Sequence, residues 1–243
     1  MTKAVLVTGA AGGIGAAMVE AFKAAGWRVI GTDLVGEKND QFIPADISLF
    51  ASQPSQLEAF AREVRSALNG APLCCLVNNA AVQRLGRLDK LAVDSITETF
   101  RVNVIAPMLL AKTFLGELEA AKGSIINIGS VHAQATKREF SAYATSKAAI
   151  HGLTRALAVD LGPDVRVNTL APAATATEML KAGFEGNEAG LSELSQAHPA
   201  GRIATPEEIA KIAVYLASAE TAFMTGACVY VDGGVLSRLH DPA

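Results

Sequence analysis

Short apolar runs rich in β-branched residues alternate along this chain with longer segments of helical periodicity. The short runs predict β-strands, and several of them lack the polar alternation of a strand that faces water on one side. Strands that are buried on both faces are typical of parallel sheets covered by helices. The pattern therefore predicts an α/β fold with a doubly wound parallel sheet. The six runs read AVLVT, WRVIGT, LCCLV, SIINIG, VRVNTL and CVYVDGG.

Residues typical of helix ends stand between these strands. Gly26 follows the first helical segment, and Gly162 with Pro163 is expected to end a long helix after the fourth strand. Thr205 precedes a proline and two glutamates, which predicts a capped helix that runs through Leu216.

The stretch between Asp33 and Asp46 departs from this alternation. Its residues, LVGEKNDQFIPA, are too few for a full crossover helix and a further strand. We therefore expect one helix of the alternation to be reduced to a loop.

Composition narrows the class of protein. The chain has 243 residues, 50% of them hydrophobic, which predicts a single domain spanning 1–243 with a large core. Its net charge is −3 and its cations are scattered, so no basic stripe is available to bind a nucleic-acid backbone. No apolar run reaches transmembrane length, and the first residues fit a folded element better than a secretory signal. We expect a cytoplasmic protein without nucleic-acid or membrane partners.

Cysteine and histidine residues give no sign of a metal site. Cys74, Cys75 and Cys228 lack metal-ligand spacing and lie in apolar runs, which favours reduced core cysteines. His151 and His240 are interpreted as packing or surface residues.

A glycine-rich stretch, TGAAGGIG, joins the first strand to the first helix. Gly9, Gly13 and Gly15 have GxxxGxG spacing, which differs from the GxGxxG fingerprint. Glycines let the backbone turn tightly and approach a pyrophosphate, whose charge is met by free N–H groups and the positive end of the helix. A mere tight turn is the alternative, but the strand before and the helix after favour a dinucleotide site.

Asp33 closes the second strand, eighteen residues beyond Gly15. A carboxylate at this point can hydrogen-bond the adenosine ribose hydroxyls and repel a 2′-phosphate, and no neighbouring cation compensates for it. The sequence therefore favours NAD over NADP, although an ordinary strand-end turn residue is the alternative interpretation of Asp33.

Tyr143 stands four residues before Lys147 in SAYATSK, and Ser130 ends an apolar run thirteen residues before the tyrosine. Residues four apart share a helix face, so the two could form nothing more than a surface pair. The chemical interpretation is that the Lys147 ammonium, with an oxidised nicotinamide, lowers the pKa of Tyr143 enough for it to exchange a proton with substrate. Ser130 would then hydrogen-bond the substrate oxygen.

Asn103 lies within a helical segment four residues before Pro107. Proline cannot donate to the Asn103 carbonyl, so we expect the helix to bend there. The freed carbonyl could hold a water molecule, or the kink could have no catalytic role.

These motifs together resemble the short-chain dehydrogenase/reductase family, and the match runs from Thr8 to Gly234. The resemblance implies a seven-stranded Rossmann-type sheet and hydride transfer between a nicotinamide cofactor and a carbonyl or alcohol. Two departures from the family pattern, Ala81 and Ala173, bear on cofactor affinity more than on reaction type. The matching pieces are TGAAGGIG, Asp33, ADI at 45–47, NNAA at 78–81, Asn103, Ser130, Tyr143 with Lys147, VRVNTLAP at 165–172 and VDGG.

The resemblance also implies roles for individual residues. The catalytic set would be Asn103, Ser130, Tyr143 and Lys147, with Asn103 linking the lysine to a water relay. The cofactor set would place Asp46 and Ile47 at the adenine, Asn79 at a ribose, Tyr143 and Lys147 at the nicotinamide ribose, and Thr175 and Thr177 at the carboxamide. The whole cofactor set is Gly9, Gly12, Gly13, Ile14, Gly15, Asp33, Asp46, Ile47, Asn79, Ala80, Tyr143, Lys147, Pro172, Thr175 and Thr177.

Substrate contacts are predicted at Gln83 and His132, which match positions where 3-hydroxybutyrate dehydrogenases of this family hold a carboxylate. The third position of that set carries a lysine in those enzymes and Phe140 here. Either Arg84, Lys137 or Arg138 replaces the missing cation, or the substrate is a neutral polyol, sugar or cyclic alcohol, which we favour. Both contacts could instead only support the loop structure.

The remaining expectations concern the lid, the assembly and competing functions. A segment at about 178–201 is expected to cover the substrate, and family members pair into tetramers through helices that begin near Asp94 and Ser141 and through the final strand. The leading function is an NAD-dependent oxidoreductase of secondary alcohols. Alternatives are a 3-hydroxy acid dehydrogenase or 3-oxoacyl reductase, a sugar epimerase or dehydratase, and a nucleotide-sensing protein without turnover.

Overall fold

The computed structural model describes residues 2–239, and within them six parallel strands form one sheet. The strands lie in the order β2-β1-β3-β4-β5-β6. The chain builds the sheet outward from β1, first to β2 on one side and then to β3 on the other, which is the arrangement of a doubly wound fold. The strands are β1 (Ala4–Thr8), β2 (Arg28–Thr32), β3 (Leu73–Asn78), β4 (Ser124–Ile128), β5 (Arg166–Pro172) and β6 (Cys228–Val231).

Helices cover both faces of the sheet and create two separate hydrophobic clusters. Along β1, Leu6 belongs to one cluster, while Val5 and Val7 belong to the other. The strand is thus buried on both sides, which is why its sequence shows no polar alternation. The helices are α1 (Gly13–Ala24), α2 (Pro54–Leu68), α3 (Val93–Phe100), α4 (Ala106–Thr113), α5 (Leu115–Ala120), α6 (Ser141–Leu161), α7 (Glu178–Ala182), α8 (Glu188–Ala197) and α9 (Pro206–Ala217).

The seventh strand implied by the family resemblance is reduced here to a single bridge. Phe42 pairs with Gly31 of β2 in parallel, with Gly31 N donating to Gln41 O at 2.8 Å and Ile43 N donating to Gly31 O at 2.9 Å. The segment between β2 and Ile47 contains no helix, as its length predicted. Ala45 N also donates to Asp33 O at 2.9 Å, so the segment follows the sheet edge with only one complete bridge.

Helix ends agree with the sequence signals. Helix α6 ends at Leu161 with Gly162 as its C-cap. Helix α9 begins with a capping box, in which the Thr205 side chain accepts from Glu208 N and the Glu208 side chain accepts from Thr205 N. Where the sequence predicted a bend at Asn103, Arg101–Ile105 forms a π-helical turn between α3 and α4.

Two further expectations concern membrane spans and His240. None of the helices described within 2–239 is long and apolar enough to cross a bilayer. His240, interpreted above as a packing or surface residue, lies outside the described residues.

Candidate active site

Ser130, Tyr143 and Lys147 meet where β4 ends and α6 begins. Lys147 is 3% exposed, and its Nζ lies 5.6 Å from the Tyr143 ring centroid. Nζ donates a 2.7 Å hydrogen bond to the carbonyl oxygen of Ile128, the last residue of β4. Ser130, two residues further, is 6% exposed. An ammonium this deeply buried excludes the alternative that Tyr143 and Lys147 are only a surface pair.

Burial dominates the electrostatics of the pair. It lowers the pKa of Lys147 to about 8, because removal from water disfavours the charged ammonium. Burial also raises the pKa of Tyr143, against which hydrogen bonding with the Ser130 side chain acts. The tyrosine therefore needs further positive charge at the site before it can release its proton near neutral pH.

Asn103 uses its side chain to organise the neighbouring loop. Its Oδ1 accepts from Val82 N at 2.9 Å, and its Nδ2 donates to Val82 O at 3.0 Å. Nδ2 also donates to Ser146 Oγ at 3.0 Å, and Ser146 Oγ donates to Tyr143 O at 2.7 Å. The π-helical turn thus places Asn103 where it connects the loop after β3 with α6.

Ser146 is a residue that sequence reasoning passed over. It is fully buried within the SAYATSK stretch and bridges Asn103 to the backbone of Tyr143. A serine inside a helix usually bonds only the backbone of its own helix, so the residue type did not indicate a second partner. Its position directly before Lys147 was the available signal.

The glycine-rich loop has the shape that a dinucleotide phosphate requires. Gly9 has φ +66, and a Cβ on Gly15 would lie 1.8 Å from Gly9 O, so the loop packs closely on the start of α1. No side chain caps the first turn of α1, which begins at Gly13 and carries no acidic residue there. A Cβ on Gly12 would meet nothing within 4 Å. Uncapped helix N–H groups beside open space fit an anionic pyrophosphate.

Residues after β3 hold this loop in place. Asn79 Nδ2 donates to Thr8 O at 2.9 Å and to Gly9 O at 3.0 Å. Thr8 Oγ1 accepts from the backbone N of both Asn79 and Ala80 at 3.0 Å. Asn79 and Ala80 therefore shape the loop, whatever contact they make with a ribose.

Asp33 uses both carboxylate oxygens in backbone hydrogen bonds. Oδ2 accepts from Ala11 N at 3.0 Å, and Oδ1 accepts from Leu34 N at 2.7 Å. The first bond brings the carboxylate against the glycine-rich loop, and the second is the kind made by an ordinary turn residue. A carboxylate oxygen can accept further bonds, so ribose hydroxyls remain possible donors.

The other predicted cofactor residues lie around the carboxyl ends of the strands. Asp46 Oδ1 accepts from Ser48 N at 2.9 Å, and Ile47, which follows it, is 8% exposed. Thr177 faces the loop, because a Cβ on Gly13 would lie 3.1 Å from Thr177 Cγ2. Pro172 ends β5. Ile14, in the first turn of α1, packs partly buried against the cluster on that face of the sheet.

Thr175 and Thr177 use their hydroxyls within their own segment. Thr175 Oγ1 donates to Ala173 O at 3.2 Å, and Thr177 Oγ1 accepts from Leu180 N at 3.2 Å. Helices α7 and α8 follow and fill the segment expected to form the lid.

An aromatic stack borders Tyr143. The His132 and Phe140 rings are stacked at 4.4 Å, and the His132 ring meets Tyr143 edge-on at 5.8 Å. His132 Nδ1 lies 3.0 Å from Thr136 Oγ1. Burial, with a smaller contribution from the Lys137 charge, lowers the pKa of His132 to about 4. The imidazole is therefore neutral near pH 7.

Three loop cations could replace the lysine that Phe140 substitutes, and each has a different environment. Arg84 forms a bidentate pair with Glu98, with Nε–Oε2 at 2.7 Å and Nη2–Oε1 at 2.8 Å. The Lys137 ammonium lies 4.8 Å from the Phe140 ring centroid, on a ring that His132 also stacks against. Arg138 and Gln83 are exposed. Among residues 2–239, no group of three or more His, Cys, Asp or Glu side chains is arranged to hold a metal ion.

Comparison with known proteins identifies close relatives over nearly the whole chain. Residues 9–236 match the family model described as enoyl-(acyl carrier protein) reductase. Protein FixR of Bradyrhizobium diazoefficiens is 38% identical, and the match covers 96% of this chain and 86% of FixR. D-threitol dehydrogenase of Mycolicibacterium smegmatis is 33% identical and is matched over 96% of this chain and 92% of its own.

A solved structure shows the same fold. The ligand-free aldohexose dehydrogenase of Thermoplasma acidophilum superimposes with a TM-score of 0.91 at 32% identity. The match covers 100% of this chain and 97% of that one.

Proposed function

This chain belongs to the short-chain dehydrogenase/reductase family of NAD(P)-dependent oxidoreductases, and from that premise we propose that it oxidises a small neutral polar alcohol with NAD, using Tyr143, Ser130, Lys147 and Asn103. The observation that carries the proposal is the Lys147 ammonium, buried beside Tyr143 and held by a backbone oxygen. Burying such a charge costs stability, so a buried ammonium without an acidic partner indicates a functional role.

The residues of the site divide the proton chemistry between them. Bound NAD would accept a hydride from the carbinol carbon. Tyr143 removes the hydroxyl proton of the alcohol, and Ser130 donates a hydrogen bond to the oxygen as it gains negative charge. Lys147 stabilises the tyrosinate by its charge. The Asn103 carbonyl would hold a water molecule that connects Lys147 with solvent.

NAD rather than NADP is proposed because of Asp33. Its carboxylate lies against the glycine-rich loop through Ala11 N, where it would meet the adenosine ribose. A 2′-phosphate there would face a negative charge without a compensating cation.

A neutral substrate is proposed from the neutral state of His132, from Phe140 in place of a lysine, and from the pairing of Arg84 with Glu98. A neutral imidazole can exchange hydrogen bonds with a hydroxyl but adds no charge to hold a carboxylate, and Phe140 adds none either. Gln83, His132 and Phe140 would contact the substrate, and the segment at about 178–201 would cover it. Two relatives named above, a D-threitol and an aldohexose dehydrogenase, act on polyhydroxy compounds by name.

The decisive experiment incubates the purified protein with NAD and a panel of polyols, sugars, cyclic alcohols and 3-hydroxybutyrate while NADH formation is followed. Turnover of neutral alcohols supports the proposal. Turnover of 3-hydroxybutyrate alone would favour the 3-hydroxy acid alternative. NAD binding without turnover of any compound, in either direction, would favour the nucleotide-sensing alternative.

We further propose a homotetramer in the cytoplasm. The mean hydropathy of +0.29 is high, and Val93, Val159 and Phe223 are large apolar residues exposed on this single chain. Cys74, Cys75 and Cys228 are all free, as a reducing compartment would keep them. A mass of 25.2 kDa by light scattering at micromolar concentration would contradict the tetramer.

A further inference from the structure

His151 lies on α6 one turn beyond Lys147 and is 5% exposed. Its ring occupies the space that a side chain on Gly129 would need. A Cβ on Gly129 would lie 2.4 Å from His151 Nε2 and 2.6 Å from Thr169 Cγ2. Gly129 does not have a positive φ. This glycine is therefore required for space and not for backbone conformation.

Gly129 joins two groups of the catalytic site. The residue before it, Ile128, supplies the carbonyl oxygen that holds Lys147, and the residue after it is Ser130. Its own N–H donates to Leu170 O at 2.8 Å. A shift of the Gly129 Cα would therefore move both the Ile128 carbonyl and the Ser130 backbone.

The His151 ring also contacts two residues of β6. Cys228 Sγ lies 3.7 Å from Nδ1 and 3.8 Å from Nε2, and the Tyr230 ring meets the imidazole edge-on at 6.1 Å. Burial, with smaller contributions from the positive charges of Lys147 and Arg155, lowers the pKa of His151 to about 4. The ring is neutral near pH 7 and adds no positive charge beside Lys147.

We propose that His151 is a positioning residue of the catalytic site: its imidazole, packed against Gly129, fixes the Ile128 carbonyl that holds Lys147 and the backbone that presents Ser130. This inference rests on the proposed function. It assigns the histidine a role in catalysis that neither the Tyr143 and Lys147 spacing nor the glycine-rich loop requires.

His151→Ala removes the imidazole that packs against Gly129 and leaves a void there. We expect kcat to fall about tenfold, since a displacement of an ångström or less at the reacting groups can lower a rate by this factor. NAD affinity should fall much less than it does in Lys147→Ala, because Lys147 and its predicted ribose contact remain. A less firmly held ammonium stabilises tyrosinate less, so the tyrosine ionisation and the acid limb of the kcat profile should both move to higher pH.

The tyrosine ionisation gives a readout that does not depend on turnover. It is followed as the pH-dependent tyrosinate absorbance that disappears when Tyr143→Phe is added to the same background. Leu118→Ala serves as the control, because Leu118 is fully buried in α5 and its carbonyl lies near Gly123, at the opposite end of β4. It should lower the thermal midpoint and leave both pH profiles in place.

A cycle of substitutions tests the contact itself. All its members carry Thr169→Ser, which removes the Cγ2 methyl and keeps the hydroxyl that lies 2.7 Å from Thr154 Oγ1. In this background Gly129→Ala should lower kcat at least tenfold while His151 is present, and should raise kcat when His151→Ala is present, because the new methyl then fills the void.

The outcomes separate the possibilities. Equal costs of Gly129→Ala with and without His151, or unchanged pH profiles in His151→Ala, would overturn the positioning role. If Gly129→Ala does not fold, the comparison of His151→Ala with Leu118→Ala decides. An unsubstituted protein that turns over no alcohol would instead contradict the proposed function, while the tyrosine ionisation of His151→Ala would still report on the contact.

Discussion

The Lys147 ammonium is held by the carbonyl oxygen of Ile128, 2.7 Å away at the end of β4. A neutral backbone oxygen satisfies one of its N–H donors and leaves the positive charge uncompensated, 5.6 Å from the Tyr143 ring centroid. Burial lowers the pKa of Lys147 to about 8, so the side chain is mostly charged at neutral pH. The fold therefore presents a positive charge to the Tyr143 hydroxyl, which we propose exchanges the substrate proton, and this costs some stability.

Tyr143→Phe should abolish hydride transfer and leave the NAD dissociation constant within about an order of magnitude, because the ring remains and only the proton-transfer group is lost. Lys147→Ala should damage both properties, since it removes a predicted ribose contact as well as the charge. Steady-state kinetics and NADH fluorescence titration measure the two effects. Turnover of Tyr143→Phe near that of the unsubstituted enzyme would contradict the assignment.

Lys147→Met should increase the free energy of unfolding at neutral pH. The folded-state pKa of about 8 lies below the ordinary value of 10.5, so below pH 8 both states are charged and only the folded state bears the desolvation cost. As pH rises from about 8 towards 10.5, the folded protein loses its proton first and gains stability relative to the unfolded chain. The advantage of methionine, at most roughly 3 kcal/mol, should thus shrink over this range.

Urea unfolding at the two ends of that pH range tests this expectation. Lys112→Met, at an exposed lysine of α4, is the matched control and should show little pH-dependent gain. A gain from Lys147→Met that is equal at both pH values would show that the ammonium is not destabilised by burial.

Ser146→Ala should lower stability by about 1–2 kcal/mol, because it leaves an Asn103 N–H with one partner fewer in a buried site. It should also lower kcat, since the link from Asn103 to the Tyr143 backbone is lost. Thr145→Ala is the control: the Thr145 hydroxyl bonds only Ser141 O, on the exposed side of the same helix. Equal loss of kcat in both variants would remove any special role for Ser146.

The strands and helix ends were predictable because their signals are local. AVLVT and SIINIG are apolar without interruption, and the capping residue Thr205 lies next to the helix it starts. The pairing of β2 with Phe42 was not predictable, since the family resemblance implied a full strand and the short segment allowed only a loop.

The proximity of Tyr143 and Lys147 was predictable, and the contacts that support these two side chains were not. Tyr143 and Lys147 follow from helical spacing, but the bond from Lys147 to Ile128 joins residues nineteen positions apart. The fit of His151 against Gly129 depends on how α6 crosses the ends of β4 and β5. Hydrophobic periodicity predicts that a helix packs on a sheet but not which atoms meet there.

Asp33→Ala should narrow the preference for NAD over NADP, because a 2′-phosphate would no longer face a carboxylate. The change also removes the acceptor for Ala11 N, so affinity for NAD should fall as well. Asp33→Asn keeps an acceptor without the charge and separates the two effects. Dissociation constants for both cofactors measure them, and tighter binding of NADP than NAD by the unsubstituted protein would contradict the interpretation of this strand end.

His132→Ala and Gln83→Ala should each raise KM or lower kcat/KM for a neutral polyol or cyclic alcohol without weakening NAD binding. His132 has its Nδ1 beside Thr136 Oγ1 and one ring face against Phe140, which leaves Nε2 as the nitrogen available to a substrate hydroxyl. Its pKa of about 4 means that kcat/KM should show no ionisation of this residue between about pH 6 and pH 8.

Phe140→Lys restores a cation at the position where 3-hydroxybutyrate dehydrogenases carry lysine, and it should shift substrate preference towards 3-hydroxybutyrate. The reason is that a buried carboxylate without a charged partner costs more free energy than a hydroxyl with neutral hydrogen-bond partners. Phe140→Leu is its control for loss of the stacked ring. Efficient oxidation of 3-hydroxybutyrate by the unsubstituted enzyme, with polyols and cyclic alcohols ignored, would mean that a loop cation such as Arg84 leaves Glu98 to bind the acid.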